Sequence, residues 1–404
     1  MGALGVSDYA LFSLVVTLPV LLLPIGDLGI GAALIDAVEG SKGSPGGREH
    51  IERTITSGAR ALTCTGVLII IGALVVVATG AQSSLLGAAS APGAGASIAT
   101  VAALMGCVVP LSLGYSALDA LRRSHVSALL QAAGNVLALC LVLLFAALGS
   151  PVYCFVSAGF LGHCVAALIG LLMAGRALEM PLLRTVVTSL HPRQRVTRIV
   201  HLAGPKTVIN VATAVAYGSD RLVLSHTAGP IAVAVYSAGA QLYTPAWALV
   251  NAGTVPLWNM FVRQRRDSDR VPKAELGRIM LWFGTGALLV GVGLVTLGPS
   301  VTRWMTHGGA GAGSALMAAF AALLLAHAVV SPVAMWLTQP AALRLLAGRY
   351  VRMAVVSLAL SVPLAWLIGP AGPVVASVAS HTVCVSIPCF RSVFRGVRAR
   401  QETR

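Results

Sequence analysis

The chain has 404 residues, of which 57% are hydrophobic and only 10% are charged, and its mean hydropathy is +0.86. Soluble domains average about 25% charged residues, so this composition excludes a soluble globular protein or a separate polar domain. The formal net charge of +15 does not indicate nucleic-acid binding, because the basic residues occur in short loops between apolar stretches. In such loops they set membrane topology and face anionic lipid.

About eleven apolar stretches are long enough to cross a hydrocarbon layer of roughly 30 Å, which takes about 20 helical residues. They are predicted at 8–35, 57–80, 94–116, 127–149, 152–174, 199–221, 230–258, 276–299, 312–337, 350–369 and 371–390. The pattern therefore predicts an all-α fold, a polytopic membrane helix bundle.

Basic loops alternate along the chain with loops that carry at most one basic residue. The basic segments are 36–56, 117–126, 175–198, 259–275, 338–349 and the tail 391–404. Because basic loops stay in the cytoplasm, we expect a cytoplasmic C-terminus. An odd number of spans then places Met1 outside.

The same pattern predicts two lobes. We expect an N-terminal lobe of five helices at 1–174 and a C-terminal lobe of six helices at 199–390. The basic linker at 175–198 is amphipathic, which suits a helix lying on the inner membrane surface. Residues 391–404 form a basic cytoplasmic tail. Small residues such as Gly284 and Gly291 suit close helix packing that allows sliding.

The sequence predicts no enzyme active site, no cofactor and no metal site. Seven cysteines are present, but none forms a CxxC pair, so packing is the better interpretation. We find neither a nucleotide-binding loop nor paired carboxylates in an outer loop. The loops are too short for a catalytic domain.

Two segments carry a family resemblance. The first runs from Leu4 to Ser13 and continues at Gly26–Gly31 as GDLGIG; the second is SDRLVL at Ser219–Leu224, followed by GPIAVAVY at Gly229–Tyr236. They resemble polysaccharide flippases of the Wzx type, in the multidrug/oligosaccharidyl-lipid/polysaccharide (MOP) exporter superfamily. In that family a first helix precedes the matching segment, so the resemblance implies that this chain lacks that helix. It also implies a two-lobed, MATE-like fold and a lipid-linked oligosaccharide as cargo.

Cavity candidates for such cargo are few. Lys206 and Arg60 would hold a pyrophosphate, although the stem of each is long enough to reach the membrane surface instead. Asn210, Gln241 and Asn251 would line the cavity or bond between helices.

Ion-coupling or gating candidates are Asp27, Asp220, Arg221 and His163. Asp27 lies within the first predicted span, near its inner end, where it would be an ion or proton site, a gate contact, or an interfacial acid that caps a helix or pairs with Arg60 or Arg53. Asp220 and Arg221 would form an ion pair, an outer-gate contact or a simple interfacial pair. His163, His327 and His381 lie within spans, where we expect hydrogen-bonded bundle histidines and no metal ligands.

Three functions remain open from the sequence. The first is a flippase that moves a polyprenyl-pyrophosphate-linked oligosaccharide across the inner membrane by alternating access, driven by an ion gradient or the membrane potential. Its partners would be membrane lipids, a polysaccharide polymerase and glycosyltransferases, with no nucleic acid. The second is a multidrug or cation exporter, which needs cavity acids that this chain offers sparingly. The third is a non-transporting component of a polysaccharide assembly complex.

Overall fold

The computed structural model describes residues 6–27, 30–40, 47–87, 93–190, 200–267, 273–308, 311–337 and 340–394. Within these ranges the chain is made of helices and short turns, without a strand. The helices before the basic linker region are α1 (Val6–Asp27), α2 (Ile30–Gly40), α3 (Gly47–Ala78), α4 (Gln82–Leu86), α5 (Ala94–Leu111), α6 (Leu113–Ala120), α7 (Ser124–Ala147), α8 (Val152–Leu178) and α9 (Leu182–Thr188). Those after it are α10 (Val200–Gly218), α11 (Asp220–Thr227), α12 (Gly229–Asp267), α13 (Lys273–Met305), α14 (Ser314–Trp336), α15 (Pro340–Ile368), α16 (Gly372–His381) and α17 (Ile387–Phe394).

The predicted polytopic bundle is confirmed. Among the described residues, seven helical stretches are long and apolar enough to cross a membrane. The last of them, Leu343–Phe394, has 52 residues and would cross twice, since each crossing takes about 20 residues. Its chain turns at Gly369, whose φ is +61°. It therefore contains both of the last two predicted spans.

Contacts divide the chain into two compact units. The first unit is Leu11–Val211, and the second combines Met1–Ala10 with Ala212–Arg404. The division falls inside α10. Of the predicted linker, α8 runs on to Leu178 and α9 follows, while residues 191–199 lie outside the described part.

The first unit packs helix backbones closely at glycines. A Cβ atom on Gly162 of α8 would meet the backbone of Gly134 and Ala138 on α7. Small residues that allow two backbones to approach are typical of membrane helix interfaces. By contrast, a Cβ atom on Gly159 of α8 would meet nothing within 4 Å. Close packing therefore needs a glycine at Gly162 but not at Gly159. Leucines such as Leu129 and Leu143 on α7 are more than half exposed, as lipid contact requires.

In the second unit, α13 and α14 meet through a mixed aliphatic and aromatic core. Leu294 of α13 and Leu324 of α14 are buried there, with Tyr243 and Trp247 of α12 packed against them. A Cβ atom on Gly284 or Gly291 of α13 would lie 3.2 Å from a side-chain carbon of α14, which is a tight contact. These two of the predicted small residues therefore serve the α13–α14 contact.

Candidate functional site

Four of the sequence-predicted candidates lie at ordinary helix positions. Arg60 of α3 and Asn210 of α10 are half-buried, and Asn251 of α12 is exposed. His163 of α8 contacts the carbonyl oxygen of Gly159 through Nδ1 at 2.7 Å, which is a bond within its own helix. The structure places these residues without joining them into one site.

Two candidates have side chains outside the described part of the structure. Asp27 is the last residue of α1, and Lys206 lies in the second turn of α10, next to Pro205. Their predicted roles stay predictions.

Asp220 is buried in the second unit, with 2% of its surface exposed. It begins the short helix α11, and the chain then reverses at Gly229, where φ is +80°. This turn returns Tyr236 of α12 to Asp220, so that the Tyr236 hydroxyl donates to Oδ2 at 2.7 Å. The other carboxyl oxygen, Oδ1, is buried and has no hydrogen-bond partner among the described residues. A buried carboxylate in an apolar bundle is costly, and such groups are usually functional.

Arg221 strengthens the same contact between α11 and α12. Its Nε donates to Oγ of Ser237 at 3.1 Å, and its guanidinium carbon lies 5.6 Å from the centre of the Tyr236 ring. A cation over a tyrosine face is attracted by the ring quadrupole. Asp220 and Arg221 of α11 thus both contact the start of α12, at Tyr236 and Ser237.

A second group, the histidine–tyrosine cluster, consists of the half-buried Tyr217 and Tyr243 and the buried His327 and His381. The Tyr217 hydroxyl lies 2.8 Å from Nε2 of His327 and 2.9 Å from Nδ1 of His381. The Tyr243 hydroxyl lies 3.1 Å from Nδ1 of His327. Each member comes from a different helix, namely α10, α12, α14 and α16. One continuous hydrogen-bonded chain thus connects four helices.

Aromatic rings surround this cluster. Trp247 packs on His327 with ring centres 4.3 Å apart, and the rings of His327 and His381 meet edge to face at 4.4 Å. Phe320 of α14 stacks on Tyr243 at 5.0 Å. The histidines are almost fully buried, with 4% and 2% of their surfaces exposed. The cluster is therefore a hydrogen-bonded core that is lined by aromatic rings.

One sequence feature, the spacing of three aromatic residues in α12, indicates this arrangement. Tyr236, Tyr243 and Trp247 are spaced by seven and then four residues, which places them on one face of a helix. That face of α12 meets Asp220 through its first tyrosine and His327 through the other two residues. Buried tyrosine hydroxyl and tryptophan N–H groups usually have hydrogen-bond partners, so a helix face with these side chains predicts polar neighbours.

Gln241 lies at a separate cavity in the second unit. Its Nε2 donates to the Tyr9 hydroxyl at 2.8 Å. The cavity has a volume of about 370 Å³ and is lined by Tyr9, Ala238, Gln241, Trp304, Met305, Thr306 and His307. Trp304 is 80% exposed. Aromatic faces beside amide and hydroxyl groups suit a polar ligand with both apolar and hydroxylated surfaces.

The comparison that decides the family concerns residues 3–255, which match the model of a family described as polysaccharide biosynthesis protein. The chain belongs to this family. The match covers more than half of the sequence and includes both segments on which the resemblance rested. It also includes Asp220, Tyr217 and Tyr243, whereas His327 and His381 lie beyond it.

Solved structures show which fold this member of the polysaccharide biosynthesis family adopts. A multidrug resistance MATE family transporter of the MOP superfamily, in an inward-facing conformation, is similar with a TM-score of 0.72 at 14% identity, over 97% of this chain and 91% of that one. The lipid II flippase MurJ, in an inward closed conformation, has a TM-score of 0.63 at 12% identity, over 96% and 86% of the two chains. A point mutant of the Vibrio cholerae MATE transporter VcmN has a TM-score of 0.60 at 15% identity, over 98% and 95%.

Among curated proteins, no match was found. The family match and the apolar helices make the chain a multi-pass membrane protein, and its fold is similar to that of solved MOP superfamily transporters, as the resemblance implied.

Proposed function

We propose that the chain is a flippase that moves a polyprenyl-pyrophosphate-linked oligosaccharide from the inner to the outer leaflet of the bacterial inner membrane. The observation that carries this proposal is the family match, since the family is described by polysaccharide biosynthesis. The fold supports it, because the MurJ structure is named for flipping lipid II.

A binding site for this cargo needs three features: cations for the pyrophosphate, polar and aromatic groups for the sugar, and an apolar surface for the lipid tail. Arg60 and Lys206 are the cation candidates. Gln241, with Tyr9 and the exposed Trp304, supplies amide, hydroxyl and aromatic surface for a saccharide. Asn210 and Asn251 are further polar candidates.

An apolar cavity in the first unit suits the lipid tail. It has a volume of about 420 Å³ and is lined almost wholly by aliphatic side chains of α1, α3 and α5, such as Leu18, Leu68 and Ile98. Leu68 is 67% exposed, so the cavity opens to the surface that faces lipid.

Alternating access would move the cargo, with the C-terminus and the basic loops on the cytoplasmic side. The expected partners are the lipid-linked oligosaccharide, membrane lipids, a polysaccharide polymerase and glycosyltransferases. The protein would perform no covalent chemistry on its cargo.

A multidrug or cation exporter is the second candidate, and the MATE transporter fold favours it. Cationic cargo needs accessible interior acids. Among the side chains that the structure describes, Asp220 is the one buried carboxylate, and Tyr236 already binds one of its oxygens. This arrangement favours the flippase.

Proteoliposomes test both candidates in one preparation. The purified chain is reconstituted with a fluorescent polyprenyl-pyrophosphate-linked oligosaccharide, and its arrival in the outer leaflet is measured by quenching. A cationic dye is offered to the same vesicles. We expect movement of the lipid-linked sugar and none of the dye; the reverse result would establish the exporter.

A further inference from the structure

The histidine–tyrosine cluster has the connectivity of a proton wire. Tyr243, His327, Tyr217 and His381 are joined in that order by three contacts of 2.8–3.1 Å. Each hydroxyl and each neutral imidazole carries one proton that can be donated and one lone pair that can accept. A chain of such groups can therefore hold its protons in either of two directions.

In the forward direction, Tyr243 donates to Nδ1 of His327, and Nε2 of His327 donates to the Tyr217 oxygen. Tyr217 then donates to Nδ1 of His381, which leaves the proton of His381 on Nε2. In the reverse direction every donor becomes an acceptor, and Nε2 of His381 is a bare lone pair. Nε2 is buried and has no hydrogen-bond partner among the described residues. Nε2 of His381 is therefore the unpaired end of the wire.

Conversion between these directions moves one proton and leaves the wire neutral. In the reverse state, a proton binds at Nε2 of His381, and His381 passes its Nδ1 proton to Tyr217. Tyr217 passes its hydroxyl proton to Nε2 of His327, which passes its Nδ1 proton to Tyr243. Tyr243, which is half-buried, releases its own proton to water at the other end. One proton enters, one leaves, and no other bond changes.

The surroundings suit this role. Trp247 lies against His327 with ring centres 4.3 Å apart, and an aromatic face stabilises a transient imidazolium. Directly after His381, residues Thr382–Ser386 form a turn of π-helix, a distortion found often at functional sites. After His327, the helix contains Pro332, and Ser331 donates to the His327 carbonyl oxygen at 2.7 Å. Both histidines therefore lie where their helices are irregular.

Other ionisable groups face the wire from the helices packed around it. Asp220 of α11 contributes to the electrostatic surroundings of both Tyr217 and Tyr243. Tyr350 of α15 interacts with Tyr217 as well. From α15, the sulfur of Met353 lies 3.4 Å from the Tyr217 hydroxyl.

We propose that the Tyr243–His327–Tyr217–His381 chain relays a proton between helices α12, α14, α10 and α16, and that this proton drives the transport step. The second half of this inference rests on the proposed flippase function, and the first half does not. The ligand of the site is a proton, and the wire supplies a path for it through the apolar interior of the second unit.

Tyr217→Phe tests the relay, because it removes one oxygen from the middle of the wire and keeps the ring. Tyr115→Phe is the matched control, since the Tyr115 hydroxyl in the first unit is buried without a partner among the described residues. In proteoliposomes, a pH gradient of about one unit would change the leaflet ratio of cargo about tenfold for one proton per cycle. We expect wild type and Y115F to respond to the gradient, and Y217F to give the rate and ratio seen without one. An equal response in Y217F would overturn the relay as the path of the driving proton, and no response in a wild type that does move cargo would overturn the proton-driven step.

Nitrogen NMR of the ¹⁵N-histidine-labelled protein in detergent separates the relay from the flippase function. We expect the tautomers of His327 and His381 to change together in wild type and Y115F and independently in Y217F, with each resonance assigned from its His→Gln variant. Independent titration in wild type would overturn the relay, whatever the vesicles show. Coupled tautomers in a protein that moves no cargo would retain the relay and remove only the proposed flippase.

Discussion

The two units of the chain bury different chemistry. In the first unit, buried polar side chains are serines and threonines such as Thr54, Ser57 and Ser157, which donate to carbonyl oxygens of their own helices. In the second unit, Asp220, His327, Arg349 and His381 are buried. All acidic, basic and histidine side chains that are buried in the described residues thus lie in one unit.

The two units therefore differ in what holds their helices together. Helices of the first unit approach at glycines, so its shape depends on the absence of side chains. Helices of the second unit are connected by hydrogen bonds that run between them, so its arrangement depends on the protonation and geometry of a few groups. From this contrast we expect backbone packing to stabilise the first unit and the proposed proton relay to act in the second. Three substitutions test it, from the largest expected effect to the smallest.

Gly162→Ala should be the most damaging of the three. The new methyl group would collide with backbone atoms of Gly134 and Ala138 on α7, and a backbone cannot move aside as a side chain can. We expect a loss of about 3 kcal/mol in the free energy of unfolding, measured as a lower Tm in detergent. Gly159→Ala on the same helix meets open space and should leave the Tm unchanged. Similar shifts for both variants would contradict the close backbone packing of the first unit.

Tyr236→Phe should have an intermediate effect in the second unit. It removes the hydroxyl that donates to Oδ2 of Asp220 and leaves both carboxyl oxygens of a buried acid unpaired. We expect a loss of about 2 kcal/mol. Asp220→Asn keeps an acceptor for Tyr236 and should cost less, so a comparison of unfolding in the two variants checks the bond. A larger loss in D220N than in Y236F would show that the charge of Asp220 matters more than this bond.

Gln241→Ala should have the smallest effect on folding. The lost bond to Tyr9 lies at an open cavity, and interhelical hydrogen bonds in membranes average about 0.6 kcal/mol. The expected consequence is weaker binding of the oligosaccharide, seen as a higher substrate concentration for half-maximal translocation at nearly unchanged Tm. Thr244→Val is the matched control, since Thr244 is exposed on the same helix and donates to the carbonyl oxygen of Ala240 within that helix. A Tm loss in Q241A as large as in Y236F would assign Gln241 a structural role.

Hydropathy alone predicted the fold class, because a membrane requires long apolar helices that satisfy their own backbone hydrogen bonds. The two short segments around Tyr9 and Tyr236 were enough to indicate the superfamily. The sequence also singled out Asp220 and Arg221 as gating or interfacial candidates, and His327 and His381 as histidines within spans. Composition and charge are local properties, which explains this success.

The partners of these residues could not be predicted. Tyr217 and His381 are 164 residues apart in sequence, and only the packing of four helices brings them together. Likewise, the sequence could not distinguish an interfacial Asp220 from a buried one, because the reversal at Gly229 decides its surroundings. Helical periodicity identifies the face on which a residue lies, but it does not identify the helix that covers that face.

The most direct test of a proton-responsive second unit compares wild type with His327→Gln for translocation of the lipid-linked oligosaccharide in proteoliposomes. Glutamine retains polar atoms but cannot relay a proton, and only preparations with a Tm close to that of wild type are compared. We predict that wild type moves the cargo and that H327Q loses at least about tenfold of the gradient-driven rate, which corresponds to roughly 1.4 kcal/mol. A folded H327Q variant that translocates at the wild-type rate under the same gradient would contradict the claim that the second unit holds the chemistry of transport.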